Sequence, residues 1–257
     1  MAIQNINLGT LSETPTPVEH HSVNSSEPYD TYRFRLDSPG NINLSLTGTS
    51  ADADVVLYRD VNNNGVIDDG VDTWIQNSTF GYNEAHDEAI NVVAEAGNYI
   101  AKVYSFNDNS TDYDLRLSTT RSYSTTPSNL LSKEFTAGDW TGIFQDQTFN
   151  GSLGDSNTSD LYYFHLLRIG GSVGSDTISS ITLSGLSNDA DIRLIRDSNN
   201  NRIVDAGEEI DKSQNLGTAN DTIFNINQGG SYYLQVYQYS GSTDYTLNFD
   251  YTYVPPA

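Results

Sequence analysis

Two stretches of this chain carry oxygen-bearing side chains at the spacing a hard cation needs. The first runs Asp60-Val-Asn62-Asn-Asn64-Gly65-Val66-Ile-Asp68, the second Asp197-Ser-Asn199-Asn-Asn201-Arg202-Ile203-Val-Asp205. Side-chain oxygens stand at loop positions one, three, five and nine, and the backbone carbonyl of position seven (Val66 or Ile203) adds another. A loop of this kind offers several carboxylate and amide oxygens to one calcium ion. The candidate ligands are therefore Asp60, Asn62, Asn64, Val66 and Asp68, with Asp72 completing the shell. In the second copy they are Asp197, Asn199, Asn201, Ile203 and Asp205, with Glu208 or Glu209. The competing reading is an Asx-rich turn in which Asp and Asn cap their own backbone. Alternate-position spacing that survives in both copies favours calcium.

The two copies differ at two places. Helix-flanked calcium loops end on a bidentate acid at position twelve. Here that residue is Val71 in the first copy, whose nearest acid lies one further on, and Glu208 in the second. Arg202 also replaces Gly65. If that position needs a left-handed backbone, a residue with Cβ costs roughly 1–2 kcal/mol there, and a cation is set beside the ion. The expectation is two calcium sites, the second weaker or adapted in its geometry.

The elements that must hold these loops read as strands. Tyr32, Phe34 and Leu36 alternate with Arg33 and Arg35, Ser38-Pro-Gly40 turns the chain, and Ile42, Leu44 and Leu46 alternate with polar residues. Ala53, Val55 and Leu57 lead into the first loop, which puts Asp52 and Asp54 on the opposite face as outer ligands or turn caps. Asp189 and Asp191 repeat that pair, and Asp30 and Asp160 stand at the entrance to the first strong strand of each copy. Six or seven short strands per copy with no convincing amphipathic helix predict an all-β chain of antiparallel β-sandwiches.

Asp52 and Asp189, Asp60 and Asp197, and Asp68 and Asp205 are each 137 positions apart. Asp160-Leu-Tyr162-Tyr-Phe164 repeats Asp30-Thr-Tyr32-Arg-Phe34, Gly230–Tyr237 repeats Gly97–Tyr104, and Thr243–Phe249 repeats Thr111–Leu117. Trp140–Phe144 stands in for the first apolar segment, and the second copy adds a Gly/Ser loop near Ile169–Thr177. The reading is a tandem duplication: one domain over 1–120, a Ser/Thr/Pro-rich linker over 121–133, and a second domain over 134–257.

Composition narrows the function classes. The 257 residues carry 34 acids against 12 Lys and Arg, a net charge of −22, which repels nucleic acid and anionic membranes at long range. No apolar run reaches membrane-spanning length. With no cysteine there is no disulfide framework and no thiolate site. The N-terminus shows neither a basic nor an apolar signal region. Gly170-Gly-Ser172-Val-Gly174 matches a nucleophile elbow only formally, because no helix follows the serine. His20, His21, His86 and His165 lack zinc spacing. Tyr32, Tyr99, Tyr162 and Tyr232 are expected in the cores. Tyr104, Phe106, Tyr237 and Tyr239 are the residues that would form an exposed aromatic strip, with core or edge burial the favoured reading.

In this order, Asp-x-Tyr-x-Phe, Ser-Pro-Gly, Ala-Asp-Ala-Asp with its Asp-x-Asn-x-Asn-Gly loop, Gly-x-Tyr-x-x-x-Val-Tyr and Thr-Asp-Tyr resemble the bacterial pre-peptidase C-terminal domain, in two copies. The resemblance implies jelly-roll-like β-sandwiches of secreted bacterial proteins, related to the collagen-binding domains of clostridial collagenases, where acids near the first strong strand contribute to the ion site. It also implies a non-catalytic accessory role in export, adhesion or substrate binding. The expected reading is a calcium-stiffened extracellular or cell-surface adhesion module. The alternative is a carbohydrate- or matrix-protein-binding module with purely structural calcium, and a hydrolase comes behind both.

Overall fold

The computed structural model describes residues 3–79, 84–121, 126–140, 146–166 and 175–254. These divide into two units, the first holding nine strands together with Ser128–Glu134 and the second holding nine more. No α-helix occurs among the described residues; one 3-10 turn spans Phe106–Asp108.

In the first unit the strands are β1 (Asn5–Thr10), β2 (Glu19–Val23), β3 (Tyr29–Leu36), β4 (Gly40–Thr47), β5 (Ala53–Asp60), β6 (Thr73–Ser78), β7 (Glu88–Ala94), β8 (Gly97–Ser105) and β9 (Thr111–Thr120). They form a five-stranded sheet, β1-β3-β8-β5-β6, and a four-stranded sheet, β2-β9-β4-β7. The period-2 pattern explains why both sheets close on one core. Tyr32, Phe34, Leu36, Val55, Leu57, Tyr99, Ala101 and Val103 from one sheet meet Ile42, Leu44, Leu46, Ile90, Val92, Leu115 and Leu117 from the other.

The second unit repeats this plan strand for strand. Its strands are β10 (Phe135–Trp140), β11 (Gln147–Leu153), β12 (Ser159–Leu166), β13 (Ser175–Ser184), β14 (Ala190–Ile195), β15 (Glu209–Ser213), β16 (Asp221–Ile226), β17 (Gly230–Gln238) and β18 (Thr243–Val254). The sheet orders are β10-β12-β17-β14-β15 and β11-β18-β13-β16, which is the first unit's order advanced by nine. Its core holds Tyr162, Phe164, Ile181, Leu183, Ile192, Leu194, Tyr232, Leu234, Leu247 and Phe249.

The sandwiches are thus the predicted all-β class, with one correction to the antiparallel reading. β1 runs parallel to β3, and β10 parallel to β12, each with a register shift at Gly9 or Gly138. Every other ladder among the described residues is antiparallel. Part of the 121–133 stretch is held by the first unit. Asn129 Nδ2 donates to the Glu13 carbonyl at 3.0 Å, and the Lys133 amide donates to Asp87 Oδ2 at 2.7 Å.

The buried tyrosines carry polar tips that need partners. Tyr32 and Tyr113 hydroxyls lie 2.6 Å apart, Tyr113 donates to Asp30 Oδ2 at 2.6 Å, and the Gln4 amide donates to Asp30 Oδ1 at 2.7 Å. In the second unit the Tyr162 and Tyr245 hydroxyls are 2.7 Å apart, Tyr245 donates to Asp160, and Asn157 Nδ2 donates to Asp160 Oδ1 at 2.7 Å. Each aspartate anchors an interior chain of hydrogen bonds, which accounts for an acid at the entrance of a core strand.

Candidate metal-binding loops

Each loop leaves the five-stranded sheet at the end of β5 or β14. Asp60 is the last residue of β5, paired with Asn98 on β8, and is only 6% exposed. Its two carboxylate oxygens accept the amides of Asn64 (3.2 Å) and Gly65 (2.9 Å). Asn62 Oδ1 accepts the Asn64 amide at 3.2 Å, and Asn64 Oδ1 accepts the Val66 amide at 2.8 Å. The two asparagine Nδ2 groups then converge on one atom, Asp68 Oδ2, at 2.8 and 2.6 Å. These bonds hold the Asp68 carboxyl below the usual carboxylate range, that from Asn62 most of all.

The second loop reproduces this network. Asp197 accepts the amides of Asn201 and Arg202, both at 3.1 Å, and Asn199 and Asn201 accept the amides two residues on at 3.0 and 2.9 Å. Asn199 and Asn201 Nδ2 both reach Asp205 Oδ2 at 2.8 Å.

Glu208 and Glu209 take different places in the structure. Asp72 closes the first loop by accepting the amides of Val61 (2.9 Å) and Asp68 (2.8 Å) on its two oxygens. Glu208 does the same for Ser198 (2.8 Å) and Asp205 (3.0 Å), and also accepts the Ser198 hydroxyl at 2.8 Å. Burial pushes the Glu208 carboxyl up, but the Asp205 amide and the two Ser198 donors outweigh it and leave it below the usual range. Glu209 lies on β15 and pairs with Arg193 (3.2 Å) and Lys212 (3.0 Å) instead. Asp72 and Glu208 thus hold the same place one residue out of register.

The other acids singled out from the sequence do not join the loops. Asp54 is six residues before Asp60 on β5, about 20 Å along a strand. Asp30 pairs with Val103, five residues along β8 from the partner of Asp60 and so about 17 Å away. Asp160 and Asp191 occupy the corresponding positions of the second unit. Asp52 and Asp54 are 1% and 4% exposed, and Asp191 is 2% exposed. Burial first, and the Asp52 charge second, push Asp54 up to about 6 against a Tyr104 hydrogen bond that lowers it. Burial, then Asp221 and Asp189, push Asp191 up to about 7, opposed by Gln214 and Tyr237. Asp189 belongs to this group and not to the loop.

Arg202 sits at φ +62°, where Gly65 sits at +74°, so the position does demand a left-handed backbone. The Arg202 guanidinium lies over the Tyr233 ring (5.9 Å to the centroid), and Nη1 donates to its hydroxyl at 2.6 Å. That contact was not legible in sequence, because Tyr233 is 31 residues away on another strand.

Among the described residues, no group of three or more His, Cys, Asp or Glu side chains is placed to hold a metal ion. The loop donors are of another kind, two carboxylates supplemented by amides. They fit a hard cation chemically: each asparagine points N–H groups at an ionised aspartate, standing where positive charge is wanted. Each asparagine Oδ1 meanwhile accepts a backbone amide and has a second lone pair to offer an ion.

The remaining candidates are dispersed. His20 meets Asp114 at 2.6 Å on the surface, His86 meets the Asp87 carbonyl at 2.7 Å, and His165 meets Ser231 at 3.0 Å. Tyr237 is 2% exposed with its hydroxyl accepting from Gln214 at 2.8 Å, and Tyr104, Phe106 and Tyr239 are half-buried, so these residues form no open strip. Ser172 lies outside the described residues, as do 141–144 of the Trp140–Phe144 segment and 169–174 of the added Gly/Ser loop. No described helix is long and apolar enough to cross a membrane.

Fold and loops together define a tandem β-sandwich with one Asx-rich loop per unit. Residues 28–105, within the first unit, match the family model of the bacterial pre-peptidase C-terminal domain, and the second unit repeats these motifs on the same strand order. Among solved structures, the chain is similar to the pre-peptidase C-terminal domain of collagenase from Bacillus anthracis, at 18% identity over 47% of this chain and 95% of that one, TM-score 0.32. It is also similar to Aeromonas hydrophila PliG, a periplasmic inhibitor of g-type lysozyme (15% identity, 46% and 99% covered, TM-score 0.29). The PBSX exported protein XepA matches at 10% identity over 93% of this chain and 86% of that one, TM-score 0.31. No curated protein matched the chain.

Proposed function

We propose that this chain is a pair of non-catalytic β-sandwich modules, each stiffened by one calcium ion in the loop after β5 or β14, serving as an extracellular accessory or adhesion protein. The observation that carries the reading is the conservation of the loop network between units. Six equivalent bonds (two to the first aspartate, two asparagine-to-amide, two asparagine-to-aspartate) recur although a glycine has become an arginine. The ligands would be Asp60, Asn62, Asn64, Asp68 and the Val66 carbonyl, and Asp197, Asn199, Asn201, Asp205 and the Ile203 carbonyl. Asp72 and Glu208 brace the loops from behind.

In a chain of net charge −22, an ion in each loop would neutralise clustered carboxylates and fix the loop further. An ion that binds only the folded state stabilises it by mass action, by about 2.7 kcal/mol at a hundredfold excess over Kd. Melting of the chelator-stripped protein in calcium, magnesium and chelator tests this. A calcium-selective rise in Tm supports the reading; identical curves would leave the loops as Asx turns.

A further inference from the structure

The strongest unassigned feature is a polar groove of about 320 Å³ in the first unit, on the outer face of the five-stranded sheet beside the loop. Its lining includes Arg33, Arg35, Asn7, Thr10, Asn63 and Asn98. Arg35 is already paired, with Asp37 at 2.8 Å. Arg33 is not: it makes no hydrogen bond or ion pair among the described residues, and its Nε is fully buried without an acceptor. In a chain with 34 acids and 12 basic residues, an arginine left without an acid is a donor waiting for an acceptor from outside. Around it the groove offers further unused donors. Asn7 spends only its Oδ1, on Gly9, and Asn63 only its Oδ1, on Asn98, so both Nδ2 groups remain, as does the Thr10 hydroxyl.

The second unit shows what happens when this place is filled from within. Arg33, Gly65, Ile100 and Asn98 become Tyr163, Arg202, Tyr233 and Ser231. Arg202 covers Tyr233 and bonds its hydroxyl, the Tyr163 and Tyr233 rings lie 5.2 Å apart, and Tyr163 bonds Ser231 at 3.1 Å. In the first unit Arg33 itself lies against residue 65, where a Cβ would stand 2.6 Å from its Nη1.

We propose that the Arg33 groove is a binding site for a hydroxylated carboxylate, a uronate sugar being the chemical class it fits. A guanidinium matches the planar fork of a carboxylate. The surrounding amides and hydroxyl suit the ring oxygens of a sugar. A singly charged carboxylate meets less repulsion from this strongly acidic chain than a doubly charged phosphate does. Asp60 and Asn64 line the same groove, so an ion in the loop would lower the repulsion a carboxylate meets there.

The test is a titration of the full chain with sodium glucuronate and with oligogalacturonate, in calcium and in chelator, following the arginine Nε–H resonances by NMR. Burial of the Arg33 Nε makes its proton observable. The expected result is a saturable shift of that resonance, with binding weakened at least tenfold in Arg33→Gln and unchanged in Lys102→Gln. No shift in either buffer would overturn the proposal, as would binding that survives Arg33→Gln in a variant with a wild-type backbone spectrum. An equal response to glucose or inorganic phosphate would overturn it too. A tighter response to a Glu-rich peptide would assign the groove to a protein partner instead. The wild-type resonance gives its answer even if the variant fails to fold.

Discussion

The loop of the first unit and the loop of the second share a hydrogen-bond network and differ in what lies beneath it. Under the first, Gly65 rests on an unpaired Arg33; under the second, Arg202 reaches down to Tyr233. Duplication has therefore kept the ring of oxygens constant while the adjoining sheet surface changed. The six bonds common to both loops are local, each donor and acceptor lying within six residues, so they tolerate changes in the sheet below. The sheet surface is assembled from separate strands and carries no such constraint. What persists points to a common structural role, and what differs points to a binding role confined to the first unit.

The largest effect should come from removing the residue on which each network hangs. Asp60→Ala leaves two loop amides without their charged acceptor, and should destabilise the first unit by about 2–4 kcal/mol. Asp197→Ala should do the same to the second. Hydrogen exchange resolved by residue checks it: each substitution should expose the amides of its own unit and spare the other. Loss of protection in both units from one substitution would break the comparison.

The closing acids come next. Glu208→Gln should loosen the second loop by about 1–2 kcal/mol, since a neutral acceptor replaces one that takes three bonds. Glu209→Gln should leave that loop's exchange rates unchanged, because Glu209 serves Arg193 and Lys212.

The pH dependence separates the buried acids from the loops. Asp54, pushed up to about 6, and Asp191, pushed up to about 7, bind a proton more tightly folded than unfolded. Their contribution is fully present below the unfolded carboxylate range and is lost as pH rises through those values. In chelator, Tm should therefore rise as pH falls from about 8 to 5, more for the second unit. Asp191→Asn should flatten the second unit's dependence. Asp68 and Glu208 have the opposite sign: held low, they favour the folded state above the unfolded carboxylate range, and that share is lost as pH falls through their depressed values. A Tm that falls steadily between pH 8 and 5 would contradict the assignment of the buried acids.

Much of this was legible in the sequence, and the failures share a cause. The loop spacing, the repeat and the inward faces around Tyr32, Phe34, Val55 and Leu57 follow from local patterns of period two and from matching motifs. The parallel pairing of β1 and β10 did not, because a lone apolar segment such as Ile6 and Leu8 does not name its partner or direction. The equivalence of Asp72 and Glu208 was hidden by a one-residue deletion that breaks the 137-residue offset. Asp52 and Asp54 read as neighbours of the loop although an eight-residue strand carries them to its other end. The sequence marks Arg33 only by its alternation. As one of two arginines alternating with core residues it reads as a solvated strand face, and only the surroundings show that it lacks a partner.

The smallest effect tests the glycine-to-arginine exchange itself. Arg202→Gly removes a left-handed residue costing roughly 1–2 kcal/mol but also removes the Tyr233 contact, so stability should change by less than about 1 kcal/mol. Its calcium affinity should move toward that of the first loop. Gly65→Ala should cost about 1 kcal/mol, since Arg33 is a flexible side chain that can shift; a much larger loss would mean that Arg33 is held in place.

The most direct test of the central claim is calorimetric titration of calcium into the chelator-stripped protein, run for the wild type, Asp60→Ala and Asp197→Ala. One calcium ion per loop requires two binding events in the wild type, the tighter lost in Asp60→Ala and the weaker in Asp197→Ala, with magnesium unable to replace either. Absence of binding, or two events that persist in both variants, would contradict it.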